Sequence, residues 1–212
     1  YAAEKIITAW PQYKKNIPLK VIPCSADLNL FDIAKVDAAQ RKQFQRELNI
    51  DDNDFVVSYL GSIGGWYMTG EMLRFCKLLS DRKPGTKFLF ISPHLHDIIT
   101  IEAAKYGLPA DRLIVKHGKR NEVPALLSLS NYSLFFIKPC FSKLSSSPTK
   151  HGEIMAMSIP VITNSGVGDV KEIVEKYEAG YVVDEFTDEA FSVVIDKVLA
   201  VNSFDVAGIR NG

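Results

Sequence analysis

The segment that decides the fold is residues 55–81, which read "FVVSYLGSIGGWYMTGEMLRFCKLLSD". Its first seven residues form an apolar, β-rich run that barely alternates in polarity, and such a run indicates a strand buried on both faces. A glycine-rich loop follows, and "EMLRFCKLLSD" then places apolar residues at helical spacing. The segment therefore predicts one strand–loop–helix unit of a sheet that helices cover on both faces.

The same strand and helix signals alternate five more times along the chain. The further strand candidates read "KFLFIS", "RLIVK", "YSLFFIK", "PVIT" and "GYVVD" and end at Ser92, Lys116, Lys138, Thr163 and Asp184. The further helix candidates read "DIITIEAAKYG", "NEVPALLSLS", "KHGEIMAMS", "DVKEIVEKYEAG" and "DEAFSVVIDKVLA", with Gly107 and Gly180 at C-cap-like positions. We predict an α/β, Rossmann-like, doubly wound domain with a mainly parallel six-stranded sheet over residues 32–212.

Residues 1–31 differ in character from this domain, because Pro11, Pro18 and Pro23 interrupt them. We expect the end of a preceding domain followed by a linker. The chain begins at Tyr1 instead of a methionine, and its last residues, "DVAGIRNG", carry no closing structural signal. We therefore expect further sequence on both sides.

Composition and charge exclude several classes of protein. Lysine plus arginine and aspartate plus glutamate each number 25, so no net field favours nucleic acid as a partner. No window approaches the roughly 20 apolar residues of a membrane span, so we expect a soluble globular protein. Cys24, Cys76 and Cys140 are odd in number, which favours small core hydrophobes in a reducing, cytoplasmic setting. His94 and His96 lack a third ligand nearby, so we expect no metal site.

Two loops after predicted strands are chemically unusual. Gly61, Gly64 and Gly65 follow the first strand and allow backbone N–H groups to approach a phosphate, with the next helix adding its positive dipole end. The alternative is that these glycines serve only to turn the chain. In an open parallel sheet, ligands bind beyond the carboxyl ends of the strands, where both loops are expected to lie.

The second loop opens residues 145–164, "SSSPTKHGEIMAMSIPVITN". Pro148 suits a first helical turn, and neighbouring serine and threonine side chains can cap free N–H groups there. Lys150 in that turn opposes the helix dipole, which indicates an anion as its partner. Two alternatives remain open: Lys150 points into solvent, or it pairs with Glu153 three residues later.

Three blocks, "VIPCSADLNLF", "YLGSIGGWYMTGEML" and "SSSPTKHGEIMAMSIPVITNSGVGDVKEIV", occur in this order. Together they resemble the C-terminal, donor-binding domain of retaining glycosyltransferases of the GT-B architecture, of the group-1/family-4 type. The resemblance covers residues 21–200, and the third block is its most specific part. It implies that a nucleoside diphosphate sugar binds here as donor substrate, with no separate cofactor.

The resemblance also assigns site residues. It implies that Glu153 binds the ribose hydroxyls, and a carboxylate can accept hydrogen bonds from two adjacent hydroxyls. The base is expected near Lys116, His117 and Gly118. Lys119 and Arg120 lie beside them and could reach a phosphate, but a solvated charged turn is the simpler interpretation of these two residues. The donor diphosphate is expected at Gly61, Ser62, Gly64, Ser147, Pro148, Thr149 and Lys150.

One departure concerns the sugar. The family usually has a sugar-contacting glutamate eight residues before Glu153, where this chain has Ser145, which is thus the candidate sugar contact. The family's Arg and Lys pair after the first glycine loop is also absent, with Ile63 and Trp66 in that neighbourhood. We expect Lys150 to be the main phosphate cation. Gly166, Gly168 and Glu172 belong to a later glycine-rich turn and helix, where Glu172 is expected to be structural.

The resemblance implies sugar transfer to an unknown acceptor, in glycan or polysaccharide biosynthesis, with retention of anomeric configuration. Such enzymes need an N-terminal acceptor domain, so we expect this chain alone to be inactive and nominate no catalytic residue. A peripheral membrane association of the full-length protein is kept as an open alternative. Two other functions also stay open: one half of a sugar-nucleotide 2-epimerase, and a non-catalytic nucleotide-binding module.

Overall fold

The computed structural model describes residues 2–10, 12–13, 18–93, 96–201 and 203–212; Pro11 and His94 lie outside them. Six strands form one parallel sheet in the order β3-β2-β1-β4-β5-β6. They are β1 (Val56–Leu60), β2 (Lys87–Ile91), β3 (Leu113–Lys116), β4 (Tyr132–Leu134), β5 (Val161–Asn164) and β6 (Gly180–Val183). All five residues of β1 are buried, as a strand with helices on both faces requires.

Helices connect and flank these strands within the described residues. The α-helices are α1 (Ala2–Thr8), α2 (Ala38–Glu47), α3 (Thr69–Arg82), α4 (His96–Lys105), α5 (Val123–Leu127), α6 (Thr149–Ala156), α7 (Val170–Lys176), α8 (Asp188–Ala200) and α9 (Val206–Asn211). Short 3₁₀ turns occur at Ile33–Lys35, Ala110–Arg112 and Phe141–Lys143. The predicted doubly wound α/β fold and all six predicted strand–helix units are confirmed. None of the helices in the described part of the chain has the length and apolar character to cross a membrane.

Strand β4 is shorter than predicted, since it ends at Leu134 instead of Lys138. The chain leaves the ladder there to bond with the neighbouring loops. Met68 N–H donates to the Phe136 carbonyl (3.1 Å), and Ile137 exchanges hydrogen bonds with the Asn164 amide (2.8 and 2.9 Å). These bonds tie the loop after β4 to the loop after β1 and to the end of β5.

The prediction for Gly180 as a helix C-cap was wrong. Helix α7 ends at Lys176, and Glu178 takes the left-handed conformation after it, with φ 47°. Gly180 is instead the first residue of β6 and lies so close to β5 that a Cβ would approach the Val161 carbonyl oxygen to 1.9 Å. The glycine is needed there for close strand contact.

The aromatic core lies beneath the sheet's central strands. Phe75, Phe136 and Phe191 pack with ring centroids 5.4–6.0 Å apart, and Cys76 is buried on the same helix as Phe75, as predicted. Cys24 is exposed and Cys140 is half-buried, so the prediction of core positions was wrong for these two. Both lie in segments without regular secondary structure, where a small side chain has no core to enter.

The C-terminal residues fold onto the domain as helix α9, although their sequence carries no clear structural signal; the expectation of further sequence beyond them stays a prediction. The Asp205 carboxylate caps α9 by accepting hydrogen bonds from Ala207 N (3.1 Å) and Gly208 N (3.0 Å). Arg210 of α9 donates to the carbonyl of Phe31 (2.9 Å), which is fully buried in the core. The division of the chain at residues 31 and 32 stays a prediction, although Phe31 itself packs within the domain.

Helix α2 was not predicted from the sequence. The Asp37 carboxylate caps it by accepting from Ala39 N (2.8 Å), and Phe44 is its one buried residue among those described. Its mostly polar composition shows no helical pattern, since Phe44 is its one large apolar residue.

The strand order reverses between β1 and β4, which are neighbours in the sheet. Such a switch point opens a crevice at the carboxyl ends of the strands, flanked by the loops that leave them. Here the two loops are joined by a bridge between Tyr67 and Ile137 and by a hydrogen bond from Lys138 N to the Trp66 carbonyl (2.8 Å). The fold therefore brings together the two loops that the sequence singled out.

Candidate functional site

The glycine-rich loop after β1 has the predicted backbone conformation. Gly61, Gly64 and Gly65 have φ values of 133°, 77° and 62°, which L-residues rarely adopt. A Cβ on Gly61 would also approach Nζ of Lys150 to 2.5 Å. Gly61 is therefore required both for the turn and for the close approach of Lys150.

Helix α6 begins at Thr149 with Pro148 at its N-cap, and no side chain of the described residues caps its free N–H groups. The prediction that serine or threonine side chains cap this helix was therefore wrong. The Ser147 hydroxyl instead accepts a hydrogen bond from Cys24 N at 3.0 Å. In the first turn of α6 the His151 N–H donates to the Pro148 carbonyl (2.9 Å), whereas no described side chain accepts from the N–H groups of Thr149 and Lys150, which suits the binding of an anion.

Lys150 lies under the glycine loop and is only 8% exposed. Its Nζ is 3.3 Å from the Tyr59 hydroxyl, 3.7 Å from the centroid of the Tyr67 ring and 4.7 Å from that of the Tyr59 ring. The alternative of a lysine in solvent was wrong. Burial lowers the pKa of Lys150 to about 7, against a smaller opposite effect of Glu153.

Glu153 is 5% exposed and lies one turn further along α6. Its Oε1 accepts a hydrogen bond from Nη1 of Arg120, whose guanidinium carbon lies 4.7 Å from the centroid of the Phe31 ring. The alternative ion pair between Lys150 and Glu153 is thus not formed between these two described residues. The interpretation of Arg120 as part of a solvated turn is confirmed for its exposure, since the side chain is 59% exposed, but it missed the ion pair with Glu153.

The predicted base region follows β3. Lys116 is bound to Glu47 of α2, and His117 Nδ1 is 3.3 Å from the Pro93 carbonyl oxygen. A Cβ on Gly118 would approach Leu126 to 2.8 Å, so this backbone packs directly against α5. The turn that follows carries Arg120 toward α6 and so joins the β3 loop to Glu153.

A small cavity of about 190 Å³ lies beside the Lys150 site. Ser145 is exposed and is not among the residues that line it, whereas Lys143 lies with Nζ 4.6 Å above the Trp66 ring. Gly168 supports this loop, since its N–H donates to the Lys143 carbonyl (2.8 Å). The described residues that line the cavity are Trp66, Tyr67, Ile137, Lys143, Ser146, Ser147 and Pro148.

A second cavity, of about 490 Å³, lies at the opposite end of the sheet. Its lining includes Phe55, Asn131 and Pro160, which directly precede β1, β4 and β5. Because doubly wound sheets bind ligands at the carboxyl ends of their strands, we assign no ligand to this cavity. No group of three potential metal ligands occurs among residues 2–10, 12–13, 18–93, 96–201 and 203–212, and His94 is not one of these.

Three residues of the site, Tyr59, Tyr67 and Arg120, have no sequence signal that predicts their contacts. In the sequence, Tyr59 looks like an ordinary strand residue and Tyr67 like an ordinary loop residue. No local pattern indicates that either lies next to Lys150. Arg120 read as a surface charge. A signal for Tyr59 was available in principle, since a tyrosine within an otherwise apolar buried strand needs a partner for its hydroxyl.

Comparisons with known proteins identify the family of this chain. Residues 40–212 match the model of the family described as glycosyl transferases group 1, and the chain belongs to that family. A search of curated protein sequences found no match to this chain.

Solved structures share the fold. A crystal structure of WaaG, a glycosyltransferase involved in lipopolysaccharide biosynthesis, has 16% identity and a TM-score of 0.68 over 91% of this chain and 50% of its own. Anabaena HepE in complex with UDP-glucose has 16% identity and a TM-score of 0.65 over 91% and 50%. The C-terminal domain of LpcC, a group 1 glycosyl transferase from Francisella tularensis, has 18% identity and a TM-score of 0.59 over 87% and 90%. This chain spans about half the length of the first two proteins.

Proposed function

We propose that this chain is the donor-binding half of a retaining glycosyltransferase. The whole enzyme transfers a sugar from a nucleoside diphosphate sugar to an acceptor in glycan or polysaccharide biosynthesis. The observation that carries the proposal is the position of Lys150, a buried lysine at the first turn of α6 and in contact with the glycine loop at the switch point of the sheet. Family membership and the UDP-glucose complex of HepE, a protein with the same fold, support it.

Successive positions along α6 are suited to different parts of the donor. The Lys150 amine, the first-turn N–H groups of α6 and the glycine loop can together bind a diphosphate. Glu153 lies one turn further on and can accept from the two ribose hydroxyls. The base then extends toward the loop of Lys116, His117 and Gly118, which Arg120 joins to Glu153.

The donor sugar lies on the other side of the diphosphate in this proposal. The 190 Å³ cavity beside Tyr67 is suited to one sugar ring, because Trp66 offers an aromatic face and neighbouring serines offer hydroxyl groups. Ser145 replaces an expected glutamate and is exposed, so sugar recognition within this chain is weak. The acceptor and an N-terminal acceptor domain complete the cleft.

The chain's own contribution to the reaction is to bind and orient. Bond cleavage leaves negative charge on the departing diphosphate, and a preorganised cation and N–H groups stabilise that charge as it develops. The rest of the rate enhancement comes from holding the donor in one geometry relative to the acceptor.

Calorimetry of the 212-residue chain with UDP, ADP and GDP and with their glucose conjugates tests this proposal. We expect one diphosphate to bind within about tenfold of its sugar conjugate, that is within about 1.4 kcal/mol. Glu153→Gln should weaken both ligands alike, because they share the ribose. A sugar conjugate bound a hundredfold more tightly than its diphosphate, or sugar transfer by this chain alone, would contradict the proposed division of the site.

A further inference from the structure

Two tyrosines surround the end of Lys150 and connect it to the glycine loop. The Tyr59 hydroxyl donates to the Ser62 carbonyl and lies 3.3 Å from Lys150 Nζ. Burial raises the pKa of Tyr59 well above its usual range, so the hydroxyl keeps its proton and can accept from Lys150 while donating to Ser62. One side chain therefore fixes both the loop and the lysine.

The two tyrosines and Lys150 do not form a salt bridge. Ring faces attract an ammonium by about 0.5–2 kcal/mol, less than the several kcal/mol that desolvation of a charge costs. Among the described groups, the nearest carboxylate on α6, Glu153, is bound to Arg120. His151, the next residue on α6, adds no charge near neutral pH, because burial lowers its pKa to about 4. The empty site thus holds a lysine with incomplete compensation for its charge.

We propose that Tyr59 and Tyr67 are positioning residues that hold the Lys150 amine beneath Gly61 in the empty site and release it, with uptake of one proton from solvent, to the donor diphosphate. This inference rests on the proposed function. The diphosphate brings at least two negative charges to the amine, which favours the ammonium form far more than ring faces do. The proton goes from solvent to Nζ, and no covalent bond in the ligand changes.

The test is calorimetry at pH 8 with whichever of UDP, ADP or GDP binds most tightly. The titration is done in HEPES and in Tris, because their different ionisation enthalpies reveal how many protons are taken up on binding. A lysine with a pKa of about 7 in the empty protein should take up about 0.9 proton on binding at this pH. Affinity should fall about fiftyfold between pH 7 and pH 9 for the same reason.

Variants separate positioning from general stability. Tyr67→Ser admits water to Nζ and should reduce the proton uptake to less than about half, whereas Tyr67→Phe keeps the ring and should leave it unchanged. Tyr59→Phe should weaken binding about three- to tenfold, the effect of one lost hydrogen-bonding group. Tyr132→Phe alters a buried tyrosine of β4 that packs against Phe55 and Tyr181, and it serves as the matched control.

A measurement without ligand guards against variants that fold poorly. Titration of the Lys150 ¹³Cε resonance should give a pKa near 7 in the unmodified chain and a value closer to ordinary lysine in Tyr67→Ser. Diphosphate binding with less than about 0.2 proton taken up, or equal uptake in Tyr67→Ser, would overturn this inference alone. Absence of binding by all three diphosphates would overturn the proposed function as well.

Discussion

Helix α6 carries two buried residues of opposite charge one turn apart, and the two differ in their partners. Glu153 is 5% exposed and bound to Arg120, whereas Lys150 is 8% exposed and contacts two tyrosines but no carboxylate within ion-pair distance among the described residues. The charge of the Glu153 carboxylate is therefore compensated by Arg120 before any ribose binds. A buried lysine without such a partner lowers the stability of the empty domain, and a bound anion would offset that cost.

The difference arises from the loops that meet at the switch point. Arg120 reaches Glu153 from the turn after β3, while the side facing Lys150 is formed by the backbone of Gly61 and the rings of Tyr59 and Tyr67. The glycine loop thus supplies no side-chain anion to Lys150. Helix α6 therefore carries an ion pair at Glu153 and, one turn earlier, a candidate anion site at Lys150.

The sharpest test of this contrast is removal of the lysine. Lys150→Ala should weaken binding of a nucleoside diphosphate by about 1.5–3 kcal/mol, because a charge-assisted contact is lost. Lys150→Met keeps the unbranched stem and should do the same. Isothermal calorimetry measures the effect, with Lys42→Met on the exposed surface of α2 as the control for one lost positive charge. An unchanged dissociation constant would show that Lys150 does not bind the diphosphate and has a structural role only.

The paired charge should respond in stability. Arg120→Met leaves the Glu153 carboxylate buried without its partner and should lower the free energy of unfolding by about 2 kcal/mol. Glu153→Gln should cost less, because the guanidinium that it frees is 59% exposed and can be hydrated. Urea unfolding of the three proteins compares them. Equal losses in both variants would show that the pair contributes through packing instead of charge.

Much of the fold was predictable because its signals are local. The strands read as continuous apolar runs, and the positive φ values of Gly61, Gly64 and Gly65 follow from glycines at a strand–helix turn. The partners of the site were not predictable in the same way. Arg120 and Glu153 are 33 residues apart, and Lys150 and Tyr59 are 91 residues apart. Only the strand order brings these pairs together, so no periodicity in the sequence could reveal them.

The unpaired lysine should also give the domain a characteristic pH dependence. The pKa of Lys150 is lowered by burial to about 7 in the folded chain and returns to about 10.4 on unfolding. Between these values the unfolded chain binds more protons than the folded chain, so the free energy of unfolding should rise with pH. Below about pH 7 both states are protonated, and the destabilisation by Lys150 is at its largest.

Lys150→Met removes this group, and its comparison with the unmodified chain cancels every other titration that the two proteins share. We expect the variant to be the more stable protein at pH 7, and its advantage should shrink by about 2 kcal/mol by pH 9, as the two pKa values of Lys150 require. Thermal unfolding at both pH values measures this as a change of about 4–8 °C in the difference between the two melting temperatures. An advantage that stays constant with pH would mean that Lys150 keeps its proton throughout. The charge would then be as well compensated as that of Glu153, and the contrast between the two residues would disappear.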